Sequence, residues 1–401
     1  MDSGCGFSLK NGNSIAIFRL MIRRDRYLDR IRTALGRSPI VALLGPRQCG
    51  KTTLARQLLT FDSPNYFDLE DPVVRQLMEN PMSVLSPLKG LVVIDEAQRA
   101  PGLFPVLRVL ADREDSPASF LILGSASPDL SRQSAESLAG RVEKIELRGF
   151  DSSETREDSR DALWFRGTFP RSFLAASDVD SYVWRKNFIS TFLERDLGNL
   201  GFGMSPVMIG RFWTMLSHYH GQIWNASEVA TSLGVAPNTA RSYLDALEQT
   251  FMIRRLLPWH ENVGKRLVKS PKLYIRDSGL FHSLQRIETV ADLYHSPKLG
   301  ASWEGFALEE IIRILDVQDC CFYSVHSGSE LDLLIFRNGK RIGFEFKFAD
   351  APKMSKSLSI VREDLKLDHL WVIYPGTRRY QLSEGVWTLP LRDIHEASAE
   401  G

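Results

Sequence analysis

Hydrophobic and polar positions change their pattern twice along the chain. Between residues 40 and 150, short unbroken apolar runs (IVALL at 40–44, LVVI at 91–94, FLIL at 120–123) alternate with amphipathic stretches such as LFPVLRVLAD at 103–112. Unbroken runs of this length predict strands buried on both faces, and the stretches between them predict covering helices, so the segment reads as α/β with a parallel sheet. Ahead of it, residues 22–35 put Ile22, Tyr27, Leu28, Ile31 and Leu35 near one stripe, which predicts a leading helix that packs on the sheet and turns its arginines to solvent. A short strand is expected at 65–70 (NYFDLE), punctuated by Asp71-Pro72, and a final alternating strand at 142–150 (VEKIELRGF).

Apolar anchors vanish over 151–162, which reads as an exposed loop or linker. Beyond it the period becomes helical. Residues 184–197 (WRKNFISTFLERDL) predict one amphipathic helix with Trp184, Phe188, Phe192 and Leu193 inward. Arg195 and Asp196 at its end either pair locally, the favoured reading, or reach back toward the first domain. Over 207–257 the pattern resolves into a helix, a second helix capped by Asn225, a turn at Gly234, a third helix behind Pro237 and a β arm. Two short helices around a tight glycine turn, then a β arm, predict a winged helix-turn-helix whose recognition surface carries Asn238, Thr239, Arg241 and Ser242. The chain then returns to α/β: an amphipathic helix at 303–315, strands CCFYSV and LDLLIF, a hairpin turn at Asn338-Gly339 and a strand RIGFEFKF. The expected division is a loose tail over 1–20, with Met21 as an alternative start, a first α/β domain over 21–150, a linker and helical segment over 151–205, the winged-helix unit over 206–278 and an α/β domain over 279–401.

Candidate chemistry concentrates where the first strand ends. Gly45, Gly50, Lys51 and Thr52 stand in the spacing G-x-x-x-x-G-K-[ST], which curls backbone N–H groups around phosphates, so Gly45, Pro46, Arg47, Gln48, Cys49, Gly50, Lys51, Thr52 and Thr53 form the expected nucleotide loop. The glycines allow tight turning, Lys51 reaches the outer phosphates, Thr52 offers a hydroxyl to Mg²⁺, and a helix running on through TTLARQLL aims its N-terminus at the same charge. Cys49 inside this loop is expected to be a reactive thiol shielded by nucleotide. Asp95 and Glu96 close the strand LVVI, where an α/β sheet places ligand chemistry. Asp95 is expected to hold Mg²⁺ and Glu96 to polarise the water that attacks the γ-phosphate. Ser125, at the end of the next strand, either senses the γ-phosphate or belongs to a small-residue turn. Arg141 is a candidate arginine for transition-state charge, in cis or across a subunit interface; Arg132 competes for the role, and a surface salt bridge is an equal alternative.

Net charge narrows the partners. At +1 over 401 residues the chain has no global field, so any polyanion must meet a local patch. One such patch is 254–276, where Arg254, Arg255, Lys265, Arg266, Lys269, Lys272 and Arg276 face the single acid Glu261, and it is expected to meet DNA phosphates if the winged helix binds DNA. Four cysteines without metal-ligand spacing fit a reducing, cytoplasmic setting. No apolar run approaches the roughly 18 residues that cross a bilayer.

In the last domain Asp332 precedes Glu345, and Lys347 shares a strand face with Glu345. Two carboxylates that share a divalent metal, a lysine beside them and an upstream helical acid, Glu304, are what phosphodiester hydrolysis needs; a solvated sheet face shows the same alternation.

From about Met21 to Leu389 the chain resembles the large prokaryotic family of ATP-binding proteins that join an AAA-type ATPase domain to a C-terminal DUF4143 domain. The stretches that carry the resemblance are VALLGPRQCGKTTLA, YFDLEDP, LVVIDEAQRAPGLFPVLR, LILGSAS, SLAGR, FISTFLERDL, KRLVKSPKLYIRDSGL, WEGFALEE, SELDLLI and GFEFKFAD. The resemblance implies Mg²⁺-dependent ATP hydrolysis with Lys51, Thr52, Asp95 and Glu96 in the roles above. It also implies a restriction-endonuclease-like end domain of the PD-(D/E)xK type, whose metal cluster maps onto Glu304, Asp332, Glu345 and Lys347. No proline precedes Asp332, and membership alone does not establish cleavage. Two roles follow: an ATP-driven protein acting on DNA, with homo-oligomers possible, or a nucleotide-dependent switch for protein partners with a degenerate end domain.

Overall fold

The computed structural model describes residues 22–114, 117–125, 137–199, 202–260, 267–326 and 328–400. The expected tail, Met21, Arg132, Lys265 and Arg266 lie outside the described residues. Helix α1 (Asp25–Leu35) precedes strands β1 (Ile40–Gly45), β2 (Tyr66–Asp68), β3 (Gly90–Asp95), β4 (Ala118–Ser125) and β5 (Val142–Glu146), which form a parallel sheet in the order β2-β3-β4-β1-β5. Strand alternation sends Ile40 and Ala42 to one face and Val41 and Leu43 to the other. The first pair packs with Phe104, Leu107 and Leu110, the second with Tyr27, Leu28 and Ile31 of α1. Each of the buried Val, Leu and Ile side chains among these contributes roughly 2 kcal/mol.

The arginines of the leading helix do not all face solvent. Arg24 is buried: its Nε and Nη2 donate to the Glu154 carboxylate at 2.8 and 2.9 Å, and Nη1 and Nη2 to the carbonyls of Arg148 and Gly149. Arg26 pairs with the fully buried Asp151 at 2.5 Å. The acids of 151–162 therefore anchor this segment to α1 by charge, a partnership across 130 residues that apolar patterning cannot register.

Helix α2 (Lys51–Ala55) follows the nucleotide loop and ends sooner than TTLARQLL suggested. Helix α3 (Leu103–Ala111) covers the sheet. Helix α4 (Asp178–Thr191) starts earlier than expected because Ser177 caps it, accepting from the Asp180 N–H, and its continuation Phe192–Asp196 widens into a π-helical turn. Then come α5 (Pro206–His218), β6 (Gln222–Ile223), α6 (Ala226–Leu233), α7 (Pro237–Gln249), β7 (Ile253–Pro258) and β8 (Lys272–Ile275). Asn225 accepts from the N–H groups of Ser227 and Glu228, and Gly234 takes the left-handed conformation (φ 68°) that ends α6.

The main elements that follow are α8 (Ser278–Leu284), α9 (Leu299–Ile314), β9 (Cys320–Ser324), β10 (Glu330–Arg337), β11 (Lys340–Phe346), α10 (Lys356–Leu365), β12 (His369–Tyr374), β13 (Tyr380–Ser383) and β14 (Val386–Pro390). Asn338 and Gly339 are both left-handed, as a two-residue hairpin between twisted strands demands. Strand β7 is the pivot: Ile253 to Leu256 pair antiparallel with β8, while Leu257 and Pro258 pair parallel with β9. One nine-stranded sheet, β13-β14-β12-β11-β10-β9-β7-β8-β6, thus runs through the boundary expected between 278 and 279.

Candidate functional site

The loop after β1 is shaped by two glycines for different reasons. Gly50 has φ 100°, a conformation that side chains resist, and turns the chain into α2. Gly45 is needed for close approach: a Cβ there would lie 2.1 Å from the Leu147 carbonyl oxygen. Gln48 is left-handed as well, at φ 63°. Lys51 is buried, and its ammonium donates to the carbonyls of Gly45 (3.0 Å) and Pro46 (2.8 Å), so the charge is stored on the loop's own acceptors. Thr53 is exposed at the start of α2. The Cys49 side chain is fully buried in the core beneath α1. That corrects the expected reactive thiol, since a side chain packed in the core is closed to alkylating reagents.

At the end of β3 the Asp95 carboxylate accepts from the Thr52 hydroxyl (2.8 Å), the Tyr66 hydroxyl (3.1 Å) and the Glu96 N–H (3.0 Å). Burial raises the Asp95 pKa against the lowering effect of the Thr52 and Tyr66 hydroxyls. A hydroxyl and a carboxylate already in contact suit a hard cation such as Mg²⁺. Glu96 is left-handed (φ 55°), which lifts its side chain off the strand line. Burial raises its pKa as well, opposed by the charges of Lys51 and Arg47. Gln98 bridges the site, donating from Nε2 both to Glu96 and to the Ser125 hydroxyl at 3.0 Å. Loop, acids and Ser125 are thus drawn together at one end of the sheet. Gln98 and Tyr66 went unnoticed in the sequence, although Gln98 stands two residues after Glu96.

Arg47 leaves the loop in another direction. Its guanidinium pairs with Asp196 in the π-helical turn and reaches Glu70 at 3.4 Å, while Arg99 holds Glu70 from the far side at 3.1 Å. The local role favoured for Asp196 is therefore corrected. The π-helical turn adds a residue to the helix and carries this carboxylate around to the phosphate loop; such bulges recur at functional positions.

Arg141 lies at the opposite end of the sheet. It precedes β5, whose first residue pairs with Ile40 at the start of β1, about five residues or 16 Å from the loop that follows Gly45. Its guanidinium pairs with Asp112 at 2.5 and 2.9 Å, so within one chain the salt-bridge alternative holds and the in-cis role is corrected.

The expected DNA-facing cations of 254–276 are mostly spent inside. Arg254 pairs with the buried Glu309 of α9, and Arg255 with Asp245 (2.5 Å) and Glu248 (2.8 Å). Arg276 joins Glu146 at the end of β5 (2.5 Å) to Glu309 (3.6 Å). Burial alone would raise Glu309, but Arg254 and Arg276 hold it down at about 2. Of the described cations in this stretch, Lys269 is exposed.

Glu304, Asp332 and Glu345 do approach one another in the C-terminal domain, but not as a metal cage. The Lys272 ammonium, arriving from β8, lies 3.1 Å from Asp332 and 3.7 Å from Glu304, and also pairs with Glu330. Glu345 turns to Lys347, 2.6 Å away, and its second carboxylate oxygen is buried without a hydrogen-bond partner among the described residues. Burial and then the Asp332 charge push Glu345 up to about 8. Among the described residues no three His, Cys, Asp or Glu side chains are grouped to hold a metal ion. The expected Glu304, Asp332 and Glu345 ligand set is therefore corrected: the three are not grouped as ligands, and the Lys272 ammonium lies among Glu304, Glu330 and Asp332. Lys272, Tyr274 and Glu330, which complete the cluster, were missed because Lys272 read as part of a surface patch.

Comparison with known proteins matches three stretches of the chain. Residues 37–156 match an AAA domain, residues 157–291 a domain of unknown function (DUF8612) and residues 299–394 another (DUF4143). The uncharacterized proteins Rv2008c of Mycobacterium tuberculosis and Mb2031c of Mycobacterium bovis are each 48% identical over 375 residues, covering 94% of this chain and 85% of the relative. Among solved structures, a Walker-type ATPase of Pyrococcus abyssi is 15% identical, with a TM-score of 0.46 over 66% of this chain and 96% of that one. The Holliday junction branch migration motor of Thermotoga maritima is 19% identical, with a TM-score of 0.28 over 58% and 90%. Among the described residues no helix is long and apolar enough to cross a membrane.

Proposed function

Because the chain belongs to the family that joins an AAA domain to a DUF4143 domain, and the AAA domain makes it an ATP hydrolase, we propose that ATP turnover at the phosphate loop moves the joined middle and C-terminal body against the ATPase sheet, and that this body acts on DNA. The observation that carries the reading is the Arg47–Asp196 pair, which ties the loop that feels phosphate to the helical body. Nucleotide phosphates compete with Asp196 for the Arg47 guanidinium, so the pair is remade in each cycle. Lys51 exchanges the carbonyls of Gly45 and Pro46 for the outer phosphates, and Thr52 and Asp95 hold Mg²⁺. Glu96 orients the attacking water, while Gln98 and Ser125 register the γ-phosphate from the strand ends. Mg²⁺ supplies charge neutralisation on the phosphates. Arg141 could contribute only to a neighbouring copy, in a homo-oligomer.

Support for DNA as the target comes from shape. Helices α5, α6 and α7 with the β6-β8-β7 strands have the order of a winged helix. Asn238, Arg241 and Ser242 stand exposed on α7, with Thr239 half-buried beside them. The order α9-β9-β10-β11-α10-β12, with β12 parallel to β11, supports reading the C-terminal domain as restriction-endonuclease-like. A second reading, a nucleotide-dependent switch for protein partners, is favoured by one observation: Arg254, Arg255, Lys272 and Arg276 are neutralised internally. Steady-state ATPase measured alone and with duplex, nicked and single-stranded DNA separates them. A several-fold, salt-sensitive stimulation supports action on DNA, and none of the three changing the rate favours the switch.

A further inference from the structure

Lys272 opens β8, in the middle domain, yet its ammonium is buried among C-terminal acids. Three carboxylate oxygens converge on it from separate elements: Glu304 of α9 at 3.7 Å, Asp332 of β10 at 3.1 Å and Glu330 at the start of β10. The surrounding bonds are arranged for this occupant. The Tyr274 hydroxyl, two residues along β8, donates to Glu304 at 2.7 Å, and the Phe346 N–H donates to the other Asp332 oxygen at 3.1 Å. The Phe322 ring lies 5.6 Å from the ammonium, close enough for a cation–π contribution. A divalent ion at this point would have to displace this buried ammonium from its three carboxylates.

We infer that Lys272 is the resident cation of this cluster: an internal ammonium takes the place of the divalent metal that a nuclease-like domain would hold, and it clamps β8 to the C-terminal sheet. The domain in this form does not carry out metal-dependent phosphodiester cleavage. Removing one carboxylate from a cluster held by an ammonium leaves the cation short of a partner and destabilises the fold, whereas removing one from a bare acid cluster relieves repulsion and stabilises it. The two arrangements therefore differ in sign. The inference rests on the nuclease-like reading only for what the cluster would otherwise bind.

The test uses the full-length, nucleotide-free protein, titrated with Mn²⁺ and followed by electron paramagnetic resonance of the free ion. Wild type is expected to bind no Mn²⁺ that depends on Asp332 with a Kd below about 1 mM. Lys272→Met is expected to gain one Mn²⁺, lost again in Lys272→Met combined with Asp332→Asn. Asp332→Asn alone, without Mn²⁺, is expected to lower the Tm. Mn²⁺ bound by wild type and lost in Asp332→Asn would overturn the inference while leaving the nuclease-like reading intact. A folded Lys272→Met that binds none would overturn both. A Tm raised by Asp332→Asn would overturn the clamp, and like the wild-type titration this measurement needs no substitution at Lys272.

Discussion

Arg47, in the middle of the phosphate loop, is ion-paired with Asp196, the last residue of a π-helical turn 149 positions further along the chain. The Asp196 side chain is 4% exposed and that of Arg47 29%, so the arginine retains access to solvent and to an incoming phosphate while its partner is fixed. Asp196→Ala should cost only about 1 kcal/mol, because the freed guanidinium can hydrate. ATP should still bind. The expected change is in coupling: ATP should alter hydrogen exchange over 188–197 in wild type and leave it unaltered in Asp196→Ala. The same ATP-induced change in both proteins would show that the pair transmits nothing.

The ion network of Glu146, Arg276, Glu309 and Arg254 joins the end of β5 to β7, β8 and α9, and it gives stability a definite pH dependence. Glu309 is held at about 2 in the folded chain, against about 4.3 when unfolded. The folded pKa is depressed, so its contribution is complete above the unfolded value and is lost as pH falls from about 4 to about 2. The difference corresponds to about 3 kcal/mol. Glu309→Gln should lower the Tm clearly at pH 7, and the gap from wild type should shrink by pH 3. A gap that stayed constant with pH would mean that Glu309 is not charged in the fold.

Arg141 offers a test of assembly. Its bond to Asp112 lies far from its own loop, so Arg141→Ala in an isolated chain should leave turnover within about twofold, the usual weight of an exposed pair. If copies assemble with Arg141 facing a neighbour, mixing Arg141→Ala with Glu96→Gln subunits should restore part of the activity that each lacks. Full activity of Arg141→Ala at all concentrations removes the residue from the chemistry.

The parts of the site legible in the sequence are those encoded over a few residues. The loop spacing, the acids closing β3, the Asn225 cap and the Asn338-Gly339 turn are each local chemistry that a strand or helix period locates. What could not be read is partnership at a distance. Arg24 and Glu154 are 130 residues apart, and Lys272 and Asp332 are 60 apart; each alone resembles a solvated charge. The stretch FLERDL continues a helical period, so nothing in its pattern marks the π-helical turn that redirects Asp196. Strand β7 reads as one arm because its two pairings occupy different halves of a single run.

The measurement that bears most directly on the whole account is ATP turnover at saturating ATP and Mg²⁺ in wild type, Lys51→Ala and Glu96→Gln. Lys51→Ala should lose nucleotide affinity, since the phosphates lose the ammonium stored on Gly45 and Pro46. Glu96→Gln should bind ATP normally yet turn over about 100-fold or more slowly, because the glutamate serves only the attacking water. Equal turnover in wild type and Glu96→Gln would contradict the assignment of the site and, with it, the nucleotide-driven movement proposed for the rest of the chain.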